Sequence, residues 1–317
     1  MKNNITIILN KSEIGAGTRG SSLGIDALIM AAIAKGNPFF SKTPSLTLND
    51  KNHILTEPIQ HKWAKHIDAL IPIYEDVCKN VSQLLQDKRF PLIISGDHAS
   101  AGGTVAGIKN AYPELRLGII WIDAHADLHS PYTSPSGNVH GMPLATILNE
   151  DNLKFDPGDV KEETKAYWEK LKNVGGVKPK ALGEDIIFIG VRDTEKEENY
   201  LIEKYNITNY TPEILRQKGI AKVIEEIKTD KLSNCDIVYV SFDVDSLDSK
   251  TVSSGTGTPV ENGLFVIEAK EILQALLSWD KVVSLEITEI NPLLDDQKNK
   301  MAETALEILE HALDRSE

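Results

Sequence analysis

The sequence predicts an α/β fold built on a mostly parallel central sheet, and three observations point to it. Short apolar runs recur along the chain, and longer amphipathic stretches separate them. Most of the runs are β-branched and nearly unbroken in hydrophobicity, as expected of strands covered on both faces. Several of them end in side chains of the kind that bind metal or substrate, and ligands in open α/β sheets bind at the carboxyl ends of the strands.

In chain order, "ITIIL" (Ile5–Leu9) is the first strand candidate, and the amphipathic stretch Trp63–Gln86 the first long helix. "PLIIS" (Pro91–Ser95) is followed by a helix over Gly103–Ala111, and "LGIIWID" (Leu117–Asp123) by the charged stretch Asp151–Lys180. That stretch is expected to be a surface insertion, with a helix over Thr164–Lys172. "IIFIGV" (Ile186–Val191) precedes "TEKEENY" (Thr194–Tyr200), which has the composition of a solvated helix start. A helix over Thr211–Lys228 leads to "DIVYVSFDVD" (Asp236–Asp245), and one over Ile267–Leu277 to "VVSLEITEI" (Val282–Ile290). Lys300–Leu313 reads as a terminal helix. Strand alternating with helix is the pattern of a parallel sheet with helical crossovers. No repeat, low-complexity tract or Pro/Gly/Ser linker divides the chain, so one domain is expected over residues 1–317.

The composition is ordinary for a globular protein, 41% hydrophobic and 26% charged over 317 residues. A formal charge of −13 argues against nucleic acid or an anionic membrane as partner. A solvated acidic surface explains most of that charge, and bound divalent cations would neutralise part of it. Cys78 and Cys235 lie far apart and suit a reducing compartment better than a disulfide framework. The N-terminal apolar run is too short for a signal segment, and no apolar run reaches eighteen residues, so a cytoplasmic location is expected.

Three strand ends carry the unusual residues. "GDHAS" places Asp97 and His98 after the Pro91–Ser95 run; "DAHAD" places Asp123, His125 and Asp127 after "LGIIWI"; "SFDVD" ends in Asp243 and Asp245. In an extended chain, alternate residues point to one side, rising about 3.3 Å per residue. Asp123, His125 and Asp127 are thus expected to share a face, with Ala124 and Ala126 keeping the other side small. A single Asp or His at a strand end is more often a cap or turn residue. Four carboxylates and two imidazoles on three strand ends are different, because clustered carboxylates repel unless a cation joins them. None of the three motifs contains Lys or Arg, so the cation is inferred to be metal. Without cysteine, and with more oxygen than imidazole donors, the set suits manganese, with iron, cobalt or nickel as alternatives. Four carboxylates suggest two divalent ions, which can hold a hydroxide between them.

These motifs resemble the signatures of the ureohydrolase family, which includes arginases and agmatinases. "GDHAS", "DAHAD" and "SFDVD" follow the family order, and the likeness extends from "GAGTRGSSLGIDAL" (Gly15–Leu28) to "EITEINPLLD" (Glu286–Asp295). The resemblance implies a three-layer α/β/α fold and two Mn2+ ions per subunit. His98, Asp123, Asp127 and Asp243 would hold one ion; Asp123, His125, Asp243 and Asp245 would hold the other. "TSPSGNVHGMPLA" (Thr133–Ala145) is most similar to the arginase loop, implying that Ser136 and Asn138 receive a substrate α-carboxylate and that His140 shuttles protons. Glu289 in "EINP" matches the carboxylate that binds guanidinium, a planar cation suited to a carboxylate partner. Thr258 in "GTGTP" lies near that group by the same likeness, and Glu195 and Glu198 in "GVRDTEKEE" would receive the α-ammonium.

The implied reaction is hydrolysis of L-arginine to ornithine and urea by a hydroxide held between the ions, with Asp127 accepting its proton after attack. The family likeness also implies a homo-oligomer, trimer or hexamer. This chain departs from the arginase pattern at Glu195, where Asp is usual, and at His129, where Asn is usual and would contact the substrate carboxylate. Ser95, Ser249 and Asn262 also depart from it, but none is a metal-ligand position. The alternatives are a hydrolase of agmatine, formiminoglutamate or another guanidino compound, a non-catalytic homologue, and a zinc amidohydrolase of related architecture. The complete ligand set and Glu289 weigh against the last two.

Overall fold

The structure, a computed structural model, describes residues 4–314. Its elements run β1 (Ile5–Asn10), α1 (Gly24–Ala34), α2 (Phe39–Lys42), β2 (Ser45–Thr47), α3 (Ile67–Gln86), β3 (Phe90–Ser95) and α4 (Ala101–Ala111). They continue with β4 (Leu117–Ile122), α5 (Pro143–Leu148), α6 (Glu162–Lys172), β5 (Ile186–Ile189), α7 (Lys196–Lys204) and β6 (Thr208–Tyr210). The last third holds α8 (Pro212–Lys218), α9 (Ile220–Glu226), β7 (Ile237–Asp243), α10 (Val266–Leu277), β8 (Val282–Thr288) and α11 (Lys300–Leu313).

The eight strands form one sheet in the order β2-β1-β3-β8-β7-β4-β5-β6, and every pairing is parallel. Successive strand residues enter different cores, as period-two geometry requires. Ile120, Ile122, Ile187 and Ile189 face the core with α1, α8, α9, α10 and α11. Ile119, Trp121, Ile186 and Phe188 face the core with α3 to α7. Helices on both faces of a fully parallel sheet make the three-layer α/β/α sandwich.

The element boundaries show local chemistry at work. The long helix begins at Ile67 rather than Trp63, because His66 sits in the left-handed region (φ 56) and stops the turn from extending backwards. The stretch expected as one helix over Thr211–Lys228 is broken at Gly219, whose φ of 83 suits glycine. Thr211 caps its first half, its side chain accepting the Ile214 N–H, with Pro212 in the first turn. β2 and β6 lie at the sheet edges with three residues each, too short to read as apolar runs. The Asp151–Lys180 stretch is not merely a surface insertion, since Trp168 and Leu171 of α6 are buried in the core with α3. Cys78 and Cys235 are buried free thiols. Among the described residues, no helix is long and apolar enough to cross a membrane.

Candidate metal centre and substrate cleft

The expected ligands converge at the carboxyl ends of the sheet's central strands, β3, β8, β7 and β4. The route differs from strand alternation. β4 ends at Ile122, and residues 123–125 bend, so Asp123, His125 and Asp127 are not three positions on one extended face. Asp123 Oδ1 accepts the His125 N–H (2.7 Å), closing a tight turn. Asp127 then adopts a left-handed conformation (φ 50), which costs a non-glycine residue roughly 1–2 kcal/mol. The bend, not the pleat, brings them together. After β7, Asp243 Oδ1 likewise accepts the Asp245 N–H (2.8 Å). In both turns one carboxylate oxygen holds the backbone and the other is free to face the centre.

His98 is fixed on three sides. Asp97 caps its short turn through the Ala99 N–H (3.0 Å) and also accepts the Gly15 N–H (2.8 Å). The imidazole stacks on the Trp121 indole, centroids 4.0 Å apart and planes 7° from parallel. Its Nε2 lies 2.7 Å from Ser241 Oγ. A ring that donates from Nε2 to Ser241 leaves Nδ1 unprotonated and available as a ligand.

That Nδ1 lies 3.0 Å from Asp123 Oδ2, 3.1 Å from Asp127 Oδ2 and 3.2 Å from Asp243 Oδ2. His98 Nδ1 and Asp123 Oδ2 are nevertheless both buried without an aligned hydrogen-bond partner. Close approach without alignment is what donors aimed at a common point show, and it is the test that a metal passes here. A second group forms beside the first: His125 Nδ1 lies 3.0 Å from Asp245 Oδ2 and 3.6 Å from Asp123 Oδ1. In each of the triples His98–Asp123–Asp243 and Asp123–His125–Asp245, the donor atoms all lie within 4.8 Å of one another, with Asp123 common to both.

The electrostatics carry the same message. Burial pushes the Asp127, Asp243 and Asp245 carboxyls up, reinforced by the charge of neighbouring carboxylates. Burial opposes charge on His98 and His125, but the carboxylates around them outweigh it and raise both. Burial would also raise Asp123, yet the two imidazoles hold it well below the usual carboxylate range. The protein's own groups place four carboxylates around two imidazoles, a deficit of positive charge that divalent ions would fill.

A cleft of about 320 Å³ opens above these ligands and contains Ser136, Asn138, His140, Thr258, His129, Glu195 and Glu198. Gly137 turns the loop between Ser136 and Asn138 with φ 73, and the Ser136 hydroxyl oxygen accepts the Asn138 N–H (3.1 Å). Lys65 donates to Asn138 Oδ1 (2.9 Å), a contact the sequence motifs did not signal. Thr258 donates to Asp245 Oδ2 (3.0 Å), which ties it to the ligand cluster. His129 contacts Thr133 Oγ1 through Nδ1 (3.1 Å), and its Nε2 lies 3.7 Å from both Glu195 and Glu198. Glu198 is buried and accepts the N–H groups of Leu128 (3.2 Å) and Glu195 (3.0 Å), joining the start of α7 to the segment after Asp127.

Glu289 does not line the cleft but lies behind it, in a left-handed conformation (φ 67). Its Oε1 accepts the His98 N–H (3.0 Å) and meets His140 Nδ1 at 3.1 Å. Burial opposes charge on His140, but Glu289 outweighs it and raises the imidazole to about 9. Two further residues belong to the site. Asp193 lines the cleft 3.7 Å from His125 Nε2. Ser241 precedes Asp243 by two on β7, a same-face spacing that was readable from "SFDVD".

A parallel α/β/α sandwich that gathers carboxylates and imidazoles at its central strand ends is the arrangement expected of a ureohydrolase, the class of hydrolase that cleaves linear amidines. Known proteins narrow the class. A model of the arginase family matches residues 4–314. The chain is 34% identical over 316 residues to the arginase of Bacillus subtilis (strain 168), covering 99% of this chain and 98% of that one. It is 32% identical to the arginase of Brevibacillus brevis over 98% of this chain and 97% of that one. The solved arginase of Bacillus caldovelox superposes with a TM-score of 0.81 at 32% identity, covering 98% of each chain. The chain belongs to the arginase family.

Proposed function

We propose that this chain, acting as one domain over residues 1–317, hydrolyses L-arginine to ornithine and urea with two manganese ions per subunit. One observation carries the reading: two ligand groups sharing Asp123 lie at the floor of a cleft whose upper wall holds Ser136, Asn138, Glu195 and Glu198. His98, Asp123, Asp127 and Asp243 are assigned to one ion, and Asp123, His125, Asp243 and Asp245 to the other. When bound, the ion pair supplies water activated for attack near neutral pH.

The chain's own residues supply the rest. Glu289 receives the guanidinium, which must compete with His140 for the same carboxylate. Ser136 and Asn138 take the α-carboxylate, and Glu195 and Glu198 the α-ammonium, so attack begins from an oriented complex. Thr258, held on Asp245, borders the guanidinium position. Water adds to the guanidinium carbon and Asp127 takes a proton from it; Asp127 passes that proton to Nε as the Cζ–Nε bond breaks, urea is left behind, and the departing ornithine amine takes its last proton by way of His140. His140 carries protons between the site and solvent. The working form is proposed to be a homo-oligomer, trimer or hexamer, in a reducing compartment such as the cytoplasm.

A second reading has its own observation. His129 lies 3.7 Å from both acids assigned to the α-ammonium, so the amino-acid end differs from the arginase pattern. Agmatine, formiminoglutamate or another guanidino compound would then be preferred. Urea release from L-arginine and agmatine, side by side after manganese loading, separates the two. Faster turnover of L-arginine supports the carboxylate assignment. Faster turnover of agmatine, or of neither, refutes it.

A further inference from the structure

β8 carries a carboxylate, Glu286, that the proposed reaction does not use. Its side chain is fully buried on the sheet face covered by α3 and α4, below the ligand cluster. A buried carboxylate is costly unless donors match its oxygens. Four hydroxyls do so: Ser95 (2.8 Å) and Ser100 donate to Oε1, and Thr104 (2.7 Å) and Tyr239 (2.8 Å) donate to Oε2. The donors come from the end of β3, the turn carrying His98, the first turn of α4, and β7.

The placement of these bonds is selective. Ser95 and Ser100 bracket His98, so one carboxylate oxygen grips the segment on both sides of it. Tyr239 precedes Ser241 by two on the same face of β7, and Ser241 is the partner of His98 Nε2. Glu286 therefore restrains both the backbone that carries His98 and the strand that carries its orienting hydroxyl. None of its hydrogen bonds reaches β4 or the bend holding Asp123 and His125.

We infer that Glu286 is a positioning residue: through Ser100 and Ser95 it sets the orientation of His98, and so acts on the affinity of the His98-containing ligand group more than on that of the group containing His125. The inference rests on the two-ion reading. Its chemistry is that of partners behind metal ligands generally, whose loss typically weakens binding by about 10–100-fold.

Metal-free protein, prepared by chelation, is titrated with manganese(II) and the free ion followed by electron paramagnetic resonance. Wild type is expected to bind two ions. Ser100→Ala removes the donor nearest His98, and Glu286→Gln removes the charge; each should weaken one ion by about 10–100-fold and the other, which shares Asp123 and Asp243 with it, by clearly less. Thr104→Val deletes a donor from the same carboxylate outside the His98 segment and should change neither. The Ser100→Ala effect should persist in a His125→Ala background and vanish in a His98→Ala background. If Ser100→Ala binds both ions like wild type, or Thr104→Val weakens the same ion equally, the assignment is overturned. Wild type binding fewer than two ions would overturn the two-ion reading itself, and the inference with it.

Discussion

Lys180 offers a quantitative test of how burial shapes this protein, away from the metal ligands. Its side chain is buried, and Nζ donates to the Lys172 carbonyl (2.6 Å). No carboxylate contacts that ammonium among the described residues; the nearby acids Asp151 and Glu169 are engaged by Lys172 at 2.5 and 2.6 Å. Burial, helped by the charge of Lys178, lowers the Lys180 ammonium from 10.5 to about 8. Each pKa unit is worth about 1.4 kcal/mol, so holding Lys180 charged destabilises the folded state by about 3 kcal/mol near pH 7. Between about pH 8 and 10.5 the unfolded chain binds more protons than the folded one, so this cost is relieved as pH rises. Lys180→Met keeps most of the apolar stem and loses the hydrogen bond, worth about 1 kcal/mol. The variant should therefore be more stable than wild type by about 2 kcal/mol near pH 7 and lose most of that advantage near pH 10. Urea unfolding of both proteins at the two pH values, with excess chelator, measures the difference, and other titrating groups cancel in it. A stability difference that does not change with pH would refute the reasoning.

Other outcomes bear on the site. Asp243→Ala should lower manganese occupancy and urea release together, and a variant still holding two ions would break the ligand assignment. His140→Ala should keep its metal, by elemental analysis, while turnover falls by about 10²–10⁴-fold; full activity would end the shuttle role. Gly137→Ala places a Cβ about 2.0 Å from the Lys62 carbonyl oxygen at a φ of 73. It should cost about 1–3 kcal/mol of stability and raise KM for L-arginine while manganese affinity holds, because the distortion falls on Ser136 and Asn138.

Much of this architecture was legible because it follows from patterns that local physics enforces. Lys300–Leu313 matches its helix at both ends, and each of the six apolar runs marks a strand of the sheet. The candidate ligand residues stood out because four carboxylates and two imidazoles gather on three strand ends, where clustered carboxylates repel unless a cation joins them. The way they meet was less legible. The spacing of Asp123, His125 and Asp127 suggested an extended face, whereas a bend and a left-handed Asp127 do the work. Backbone conformations of that kind are imposed by tertiary context, as they are at His66 and Glu289. β2 and β6 were hidden because three residues at a sheet edge carry no run. Glu286 was hidden for another reason: its four partners are scattered from Ser95 to Tyr239, and nothing in one local window links them.

The strand order has a consequence for how the molecule is made. β7 and β8 fill the gap between β3 and β4, although they are the last strands to leave the ribosome. Until they arrive, β3 and β4 each present an unpaired edge, the kind of surface that recruits wrong partners. Between the completion of β6 and the arrival of β7 the growing chain can hold two half-sheets with open borders, the kind of state from which wrong pairing starts. Its final step is an insertion at the centre rather than an addition at the rim. Chemistry and structural completion arrive together, because the closing strands bring Asp243, Asp245 and Glu289 to histidine and aspartates already waiting on either side.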